Sequence, residues 1–284
     1  MATPDAARIA QLAEQLGFES LWTGEHMVIP DPQVPPSHRA PTDPFLDPIV
    51  ALTHLAATTS KIRLATGVLL IPQRHPVQLA KELASLDVLS NGRLIAGVGV
   101  GYVEAEMRAV GIDPRTRGAR TNEHIAAMHQ LWRAKSPQYR GRFINFSGVD
   151  AHPRPVQPGG PPLVLGGTSA AALERTVRYG DGWFGHNQTP EQASAAIAQL
   201  RRLAAAAGRD PEELEITVSP TSRGAGPATP VTSELVRAYA DAGVNRLVLN
   251  AEGRDLDDIA RLIGEIQPAC WADALEEYDV VHAS

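Results

Sequence analysis

The segment from Ile62 to Tyr102 constrains the fold of this chain more than any other part of the sequence. It reads IRLATGVLLIPQRHPVQLAKELASLDVLSNGRLIAGVGVGY. Apolar runs at residues 62–70 and 94–100 flank a stretch that begins with proline and has the spacing of a helix. The first run is too short to cross a membrane. A strand, a helix and a second strand in this order form a βαβ unit with parallel strands. The segment therefore predicts a parallel sheet covered by helices.

Four glycines lie toward the carboxyl ends of these two predicted strands, namely Gly67, Gly97, Gly99 and Gly101. A glycine there lets a flat ligand or another backbone approach, because no Cβ is in the way. In β/α folds, functional sites lie at the carboxyl ends of the strands. We therefore expect the site of this protein at this end of the βαβ unit.

The rest of the chain continues the alternation of strands and helices. Thr3 is a good N-cap for the opening helix, and Pro4 suits its first position. The final helix is predicted at residues 256–266. Seven strands and eight helices indicate a TIM (β/α)8 barrel. The predicted strands lie at residues 20–23, 62–70, 94–100, 163–165, 182–185, 214–219 and 246–250.

The first strand of the barrel is missing from this prediction, because a helix opens the sequence. The two strands beside the gap are expected to lack a neighbour and to expose unpaired backbone groups. An apolar strand restored upstream of Met1 is expected to raise stability and cofactor occupancy.

Two segments depart from the βα rhythm. Large residues alternate at positions 139–146, which predicts a hairpin within an excursion at 136–162, before the fifth strand of the barrel. A proline-rich loop at 30–48 could cover a site. One domain spanning residues 1–284 is expected, since α/β barrels routinely reach this length.

The composition excludes several classes of partner. A net charge of −6 with 5% aromatic residues argues against a nucleic-acid surface, so a small-molecule substrate is expected. A single cysteine, Cys270, rules out an intramolecular disulfide, and no His or Cys spacing suggests a metal site. No leader is recognisable at the N-terminus, so a cytoplasmic protein without a membrane segment is expected.

The central segment resembles the luciferase-like monooxygenase superfamily, and within it the actinobacterial branch of oxidoreductases that use the deazaflavin coenzyme F420. The spacing of Thr66-Gly67, Pro-x-Arg-His-Pro, Leu-Asp-x-Leu-Ser-x-Gly-Arg and Gly-x-Gly-x-Gly is matched together and without gaps. The resemblance implies a TIM barrel of the bacterial luciferase type that moves a hydride between the deazaflavin ring and a small organic substrate.

His26 is the candidate catalytic residue, because it follows a short apolar strand and is expected at the carboxyl rim of the barrel. A structural histidine bonded to the proline-rich loop is the alternative. In the deazaflavin-dependent relatives a histidine at this strand end lies by the reactive ring, so the resemblance implies a catalytic role. Glu25 alternates away from His26 and is expected to support the site from behind.

The resemblance also implies a cofactor site at three strand ends. The superfamily often carries a non-proline cis peptide behind the ring, and Gly67–Val68 is the candidate bond beside Thr66. A glycine bulge that lets helices pack is the alternative. Gly99, Gly101 and Tyr102 could form the floor or edge of the ring pocket.

The turn Gly166-Gly167-Thr168-Ser169 ends a strand and opens a helix, where backbone N–H groups and the helix dipole suit a phosphate. The family uses this turn for the cofactor phosphate; ordinary capping by Thr168 or Ser169 is the alternative. Arg175 is expected on a solvated or ion-paired face. Other candidates for the pocket lining are Arg74, His75, Trp183 and His186, with core packing an equal alternative for Trp183.

Two other functions remain open at the level of the sequence. The same barrel and phosphate turn serve reduced FMN in monooxygenases, and a non-catalytic flavin-binding barrel is the second alternative. Superfamily members commonly pair, so a homodimer is expected.

Overall fold

The computed structural model describes residues 5–220 and 232–249. The α-helices are α1 (Ala6–Gln15), α2 (Pro48–Thr58), α3 (Pro76–Leu89), α4 (Glu104–Ala109), α5 (Arg117–Arg133), α6 (Ala170–Tyr179), α7 (Pro190–Ala206) and α8 (Ser233–Asp241). The strands are β1 (Ser20–Thr23), β2 (Arg63–Thr66), β3 (Leu69–Leu70), β4 (Leu94–Gly99), β5 (Tyr139–Arg140), β6 (Asn145–Phe146), β7 (Leu163–Gly166), β8 (Gly182–Gln188), β9 (Glu215–Pro220) and β10 (Arg246–Leu247).

The main sheet is parallel, with the strand order β1-β2-β4-β7-β8-β9-β10, and β3 adds a short pairing to β4. The stacking of two rings shows that the sheet is curled. Trp22 on β1 and Phe184 on β8 stack with their ring centres 5.2 Å apart, although their strands are far apart in this order. The predicted TIM-barrel architecture is confirmed, and each of the seven predicted strand ranges overlaps an observed strand; β10 is shorter than predicted and ends at Leu247. Within the described residues, β1 and β10 each pair with one neighbour, as expected for a barrel with an open seam.

Apolar side chains fill both faces of the sheet. Fully buried leucines such as Leu64 on β2, Leu52 on α2 and Leu79 on α3 form the layer between strands and helices. A smaller cluster of Ala65, Ile95, Val164 and Phe184 fills the barrel interior, with Trp22, Val68 and Val248 packed against it. Strands buried on both faces explain the continuous apolar runs that marked them in the sequence.

The sequence predicts a helical region at 103–134 that is interrupted around Gly111 to Gly118, and this is confirmed, since a 3₁₀ turn, Pro114–Thr116, separates α4 from α5. Two other predicted elements differ from those observed. The run at 62–70 is interrupted after Thr66, so β2 and β3 are separate strands that both pair with β4. Helix α1 begins at Ala6 after Asp5 rather than at Pro4. The predicted Thr3 cap and the helix at 256–266 lie outside the described residues.

The hairpin is present as predicted, with β5 and β6 pairing antiparallel before β7. Among the described helices, none combines the length and the hydrophobicity that a membrane crossing requires.

Candidate active site

The carboxyl ends of β1, β2, β4 and β7 meet at one edge of the barrel. The Thr66 hydroxyl donates to the Gly97 carbonyl at 2.7 Å, and the Gly67 N–H donates to the Thr23 carbonyl at 2.7 Å. The Gly67–Val68 peptide bond is cis, as predicted. A Cβ on Gly97 would lie 1.9 Å from the Thr66 carbonyl oxygen, so the approach of a neighbouring backbone requires glycine there.

The Val68 side chain occupies the space between β4 and β7. A Cβ on Gly99 would lie 2.8 Å from a Val68 methyl, and one on Gly166 would lie 3.5 Å from the other methyl. Gly99 therefore shapes this edge by admitting Val68. Gly101, which has a φ of +77°, turns the chain away from β4 toward Tyr102.

His26 lies shortly after β1 at the same edge, as predicted. Its Nδ1 is 3.3 Å from Oε2 of Glu106 on α4, and the Met27 N–H donates to Oε1 of the same carboxylate at 2.6 Å. The Glu106 side chain is fully buried and that of His26 is 11% exposed. The acid thus fixes both the imidazole and the backbone next to it.

Two aromatic rings meet the His26 imidazole edge to face. The Phe45 ring centre lies 5.0 Å away with an interplanar angle of 80°, and the Tyr102 ring centre lies 6.1 Å away at 83°. Phe45 belongs to the proline-rich loop, so this loop does reach the site. Tyr102 follows β4, so the predicted pocket residue contacts the predicted catalytic residue.

Glu25 points away from His26, as expected, and anchors the proline-rich loop through Arg74. It accepts from the Leu70 N–H at 2.5 Å and from Arg74 Nε at 2.8 Å, and the Arg74 guanidinium also binds Asp47. Burial acts to raise the pKa of Asp47, but hydrogen bonds from Arg74, Val50 N–H and Ile49 N–H outweigh it and hold that pKa below its usual value. Arg74 is therefore ion-paired with Glu25 and Asp47, with Glu82 a further 3.8 Å contact, and its place in a pocket lining stays a prediction.

The turn before α6 is exposed at residues 167–169. Gly167 has a φ of +116°, and the Ser169 hydroxyl accepts from the Ala172 N–H at 3.3 Å, so Ser169 rather than Thr168 caps the helix. Trp183 is fully buried in the helix–sheet core and donates from Nε1 to the Gly167 carbonyl at 2.8 Å. The alternative prediction, that Trp183 is a core residue, is therefore confirmed. Its hydrogen bond also fixes the turn from the core side.

Arg175 on α6 is not on a solvated or ion-paired face. It is 9% exposed and donates from Nε to Asn122 Oδ1 at 2.7 Å. Burial lowers its pKa. The amphipathic spacing of α6 did not reveal that α5 packs over this side chain, which is why the prediction failed.

His75 and His186 are exposed near the same strand ends. His75 precedes α3, and the His186 ring stacks on Phe184 at 6.3 Å. Both positions agree with their predicted places at strand ends.

Several residues of this edge were missed by sequence reasoning. Trp22 and Phe184 line the interior beneath Gly67, whose Cβ would lie 3.2 Å from the Trp22 ring. Both amide atoms of Gln73 and Oδ1 of Asn187 are buried and have no hydrogen-bond partner among the described residues. The Gln73 amide lies 3.7 Å from where a Gly101 Cβ would be. The sequence signal that could have identified Gln73 as a site residue is its position directly before the Arg-His-Pro motif.

A surface hollow of about 670 Å³ lies beside α4, away from the His26 side of that helix, and is lined by Glu104, Arg108, Asp113 and Arg115 among others. Arg108 pairs with Glu104 at 2.6 Å, and Arg115 pairs with Asp113 at 2.9 Å. Since these charges neutralise one another, the strand-end edge remains the better candidate for the active site.

The fold and this edge define a class of protein: a β/α-barrel whose carboxyl-end site combines a histidine–acid pair with an exposed helix N-terminus. A family model described as luciferase-like monooxygenase matches residues 2–266, and the chain belongs to this family. The family groups oxidoreductases and monooxygenases.

Individual relatives extend over most of the chain. An uncharacterized protein of Mycobacterium tuberculosis is 34% identical over 276 residues, covering 92% of this chain and 91% of that protein. The crystal structure of monooxygenase RslO1 from Streptomyces bottropensis matches with a TM-score of 0.78 and 25% identity, covering 95% of this chain and 93% of that one. An F420-dependent secondary alcohol dehydrogenase, solved with an F420–acetone adduct, matches with a TM-score of 0.78 and 19% identity, covering 93% of this chain and 94% of that one.

Proposed function

We propose that this protein is a coenzyme F420-dependent oxidoreductase that transfers a hydride between the deazaflavin and a small organic substrate. The observation that carries the proposal is the His26–Glu106 pair, with a buried Glu106 and a partly buried His26, at the same strand-end edge as the exposed turn before α6. The alcohol dehydrogenase neighbour, which uses F420, supports the same fold for this chemistry.

The residues present fit a flat cofactor with a phosphate. The exposed N–H groups of the Gly166 to Ser169 turn suit the phosphate, because they carry the positive end of the α6 dipole. Among the described residues, the buried Gln73 amide and the buried Oδ1 of Asn187 lack hydrogen-bond partners, and the ring edge of a flavin or deazaflavin offers both carbonyl and N–H groups. When bound, the cofactor supplies the hydride chemistry.

His26 serves as the acid or base in this proposal. A carboxylate oxygen can only accept, so Nδ1–H donates to Glu106 and leaves Nε2 for the reacting group. Glu106 acts through His26 as a positioning residue.

A flavin-dependent monooxygenase is the second candidate. RslO1, a monooxygenase, covers nearly the whole chain at the higher identity of the two structures. The phosphate turn and the amides fit FMN as well as they fit the deazaflavin, so geometry does not discriminate between the two cofactors.

The deciding experiment is a titration of the purified protein with F420 and with FMN, followed by fluorescence quenching. We expect F420 to bind at least tenfold more tightly. Tighter binding of FMN would support the monooxygenase, and binding without turnover would support a non-catalytic barrel. Failure of both cofactors to bind would overturn the proposal.

A further inference from the structure

Large apolar side chains are exposed beside the imidazole of His26. Met27 is 36% and Val28 47% exposed on the chain that leaves His26, and Leu46, next to Phe45, is 47% exposed. Tyr102, whose ring contacts His26, is also 47% exposed. We call these four residues, Met27, Val28, Leu46 and Tyr102, the apolar mouth.

Four charged side chains near the apolar mouth already have partners. Glu106 holds His26 and the Met27 N–H, and Arg74 holds Glu25 and Asp47. The guanidinium of Arg39 lies 5.3 Å from the centre of the Phe45 ring.

We infer that the apolar mouth binds an uncharged, mostly apolar organic substrate rather than a phosphorylated or carboxylated one. The inference rests on the proposed function, because it names the substrate class for the same site. Exposed aliphatic and aromatic surface gains free energy when an apolar molecule covers it. An anion on this surface would lose hydrating water, and the Arg74 guanidinium, which is already ion-paired, would not compensate for that loss.

The test is calorimetric titration of the cofactor-saturated protein with straight-chain primary alcohols from butanol to octanol, and with octanoate. We expect the dissociation constant to fall about threefold to fourfold for each added methylene group, because each one buries further apolar surface. Octanoate is expected to bind at least tenfold more weakly than octanol.

Two variants connect this binding to the apolar mouth. Leu46→Ser and Tyr102→Ser are each expected to weaken octanol binding about threefold to tenfold. The matched control is Leu89→Ser, since Leu89 is 65% exposed at the end of α3, on the opposite end of the barrel from His26. This control is expected to leave the octanol affinity unchanged.

An affinity that does not depend on chain length would overturn the inference, as would octanoate binding as tightly as octanol or an equal loss in the Leu89 control. Repeating the titrations without cofactor separates the two proposals. Alcohol binding in a protein that binds neither cofactor would overturn the proposed function and leave the apolar mouth standing. Cofactor turnover without alcohol binding would overturn the inference about the apolar mouth and leave the proposed function standing.

Discussion

The imidazole of His26 is held by groups from three different parts of the chain. Glu106 is 80 residues away in the sequence, Phe45 lies on the proline-rich loop, and Tyr102 follows β4. Each contact restricts the ring, so little conformational entropy remains to be lost when a substrate binds. This restriction distinguishes His26 from the exposed His75 and suits a group that exchanges a proton.

We expect His26→Ala to lower turnover about 10²-fold to 10⁴-fold while changing cofactor affinity less than threefold, because the turn before α6 remains intact. Reduction or oxidation of the bound cofactor by candidate substrates, compared with wild type at equal occupancy, measures this. Equal rates in the two proteins would remove His26 from the mechanism. A joint loss of stability and cofactor binding would mark it as structural.

At the scale of elements, helix α1 is tied to β2 through one carboxylate. Glu14 accepts from the N–H groups of Ser60, Lys61 and Ile62 at 2.9, 2.6 and 2.9 Å. Burial acts to raise the pKa of Glu14, but these backbone hydrogen bonds outweigh it and lower that pKa to about 2. The charged form is therefore the one that holds the start of β2.

We expect Glu14→Gln to reduce the free energy of unfolding at pH 7 by about 1 to 2 kcal/mol, since the site is partly open to water. Because the pKa of Glu14 is lower in the folded than in the unfolded state, the carboxylate stabilises the fold at pH values above the unfolded pKa. The wild type therefore loses this contribution as the pH falls from 4.5 toward 2. Urea unfolding at pH 7 and at pH 3 measures both effects. A difference between variant and wild type that does not shrink at pH 3 would contradict this assignment.

The turn before α6 depends on Gly167, because its φ of +116° is one that other residues rarely adopt. We expect Gly167→Val to weaken cofactor affinity at least tenfold while the barrel stays folded. Gly208→Val is the matched control, since Gly208 also has a positive φ, +70°, with open space around it, and precedes β9 at the other end of the barrel. An unchanged dissociation constant, or an equal loss in both variants, would remove the phosphate role.

At the scale of the whole molecule, side chains connect the two ends of the strand order. Arg246 on β10 donates to the Glu19 carboxylate before β1 at 2.7 and 2.8 Å and to the Thr217 hydroxyl at 3.0 Å, and it also binds Glu215. Its guanidinium lies 5.8 Å from the Trp22 ring centre. The curled sheet is thus held across the seam by an ion-pair network.

We expect Arg246→Ala to lower the free energy of unfolding by about 2 to 3 kcal/mol, because the guanidinium is 10% exposed and its loss removes the ion pair with Glu215 and leaves Glu19 with Arg63 alone. Arg115→Ala is the control, since Arg115 is 90% exposed beside Asp113, and its loss is expected to leave the free energy of unfolding almost unchanged. Urea unfolding measures both. Equal costs would show that Arg246 does not hold the seam.

The homodimer is a prediction at the same scale, based on the habit of the family and on the open barrel edge that the sequence predicts. Light scattering after gel filtration at micromolar concentration is expected to give twice the chain mass of 30.4 kDa. A monomeric mass would contradict it.

The sequence by itself determined the elements and the end of the barrel that carries the site. Strand β1 was predicted with its observed bounds, and the strands from β4 to β9 within a few residues, because buried parallel strands are short apolar runs between breakers. His26 and the Gly166 to Ser169 turn were placed at the correct edge, since parallel strands in one sheet bring their carboxyl ends together.

The tertiary structure alone decided which side chains face one another. Trp183 and Phe184 are adjacent and both apolar, and only the curl of the sheet assigns Phe184 to the interior and Trp183 to the helix layer. Glu106 meets His26, and Arg74 is drawn to Glu25 and Asp47, through contacts between distant segments. Local periodicity carries no information about such pairs, because their geometry is set by the packing of α4 and the proline-rich loop on the barrel.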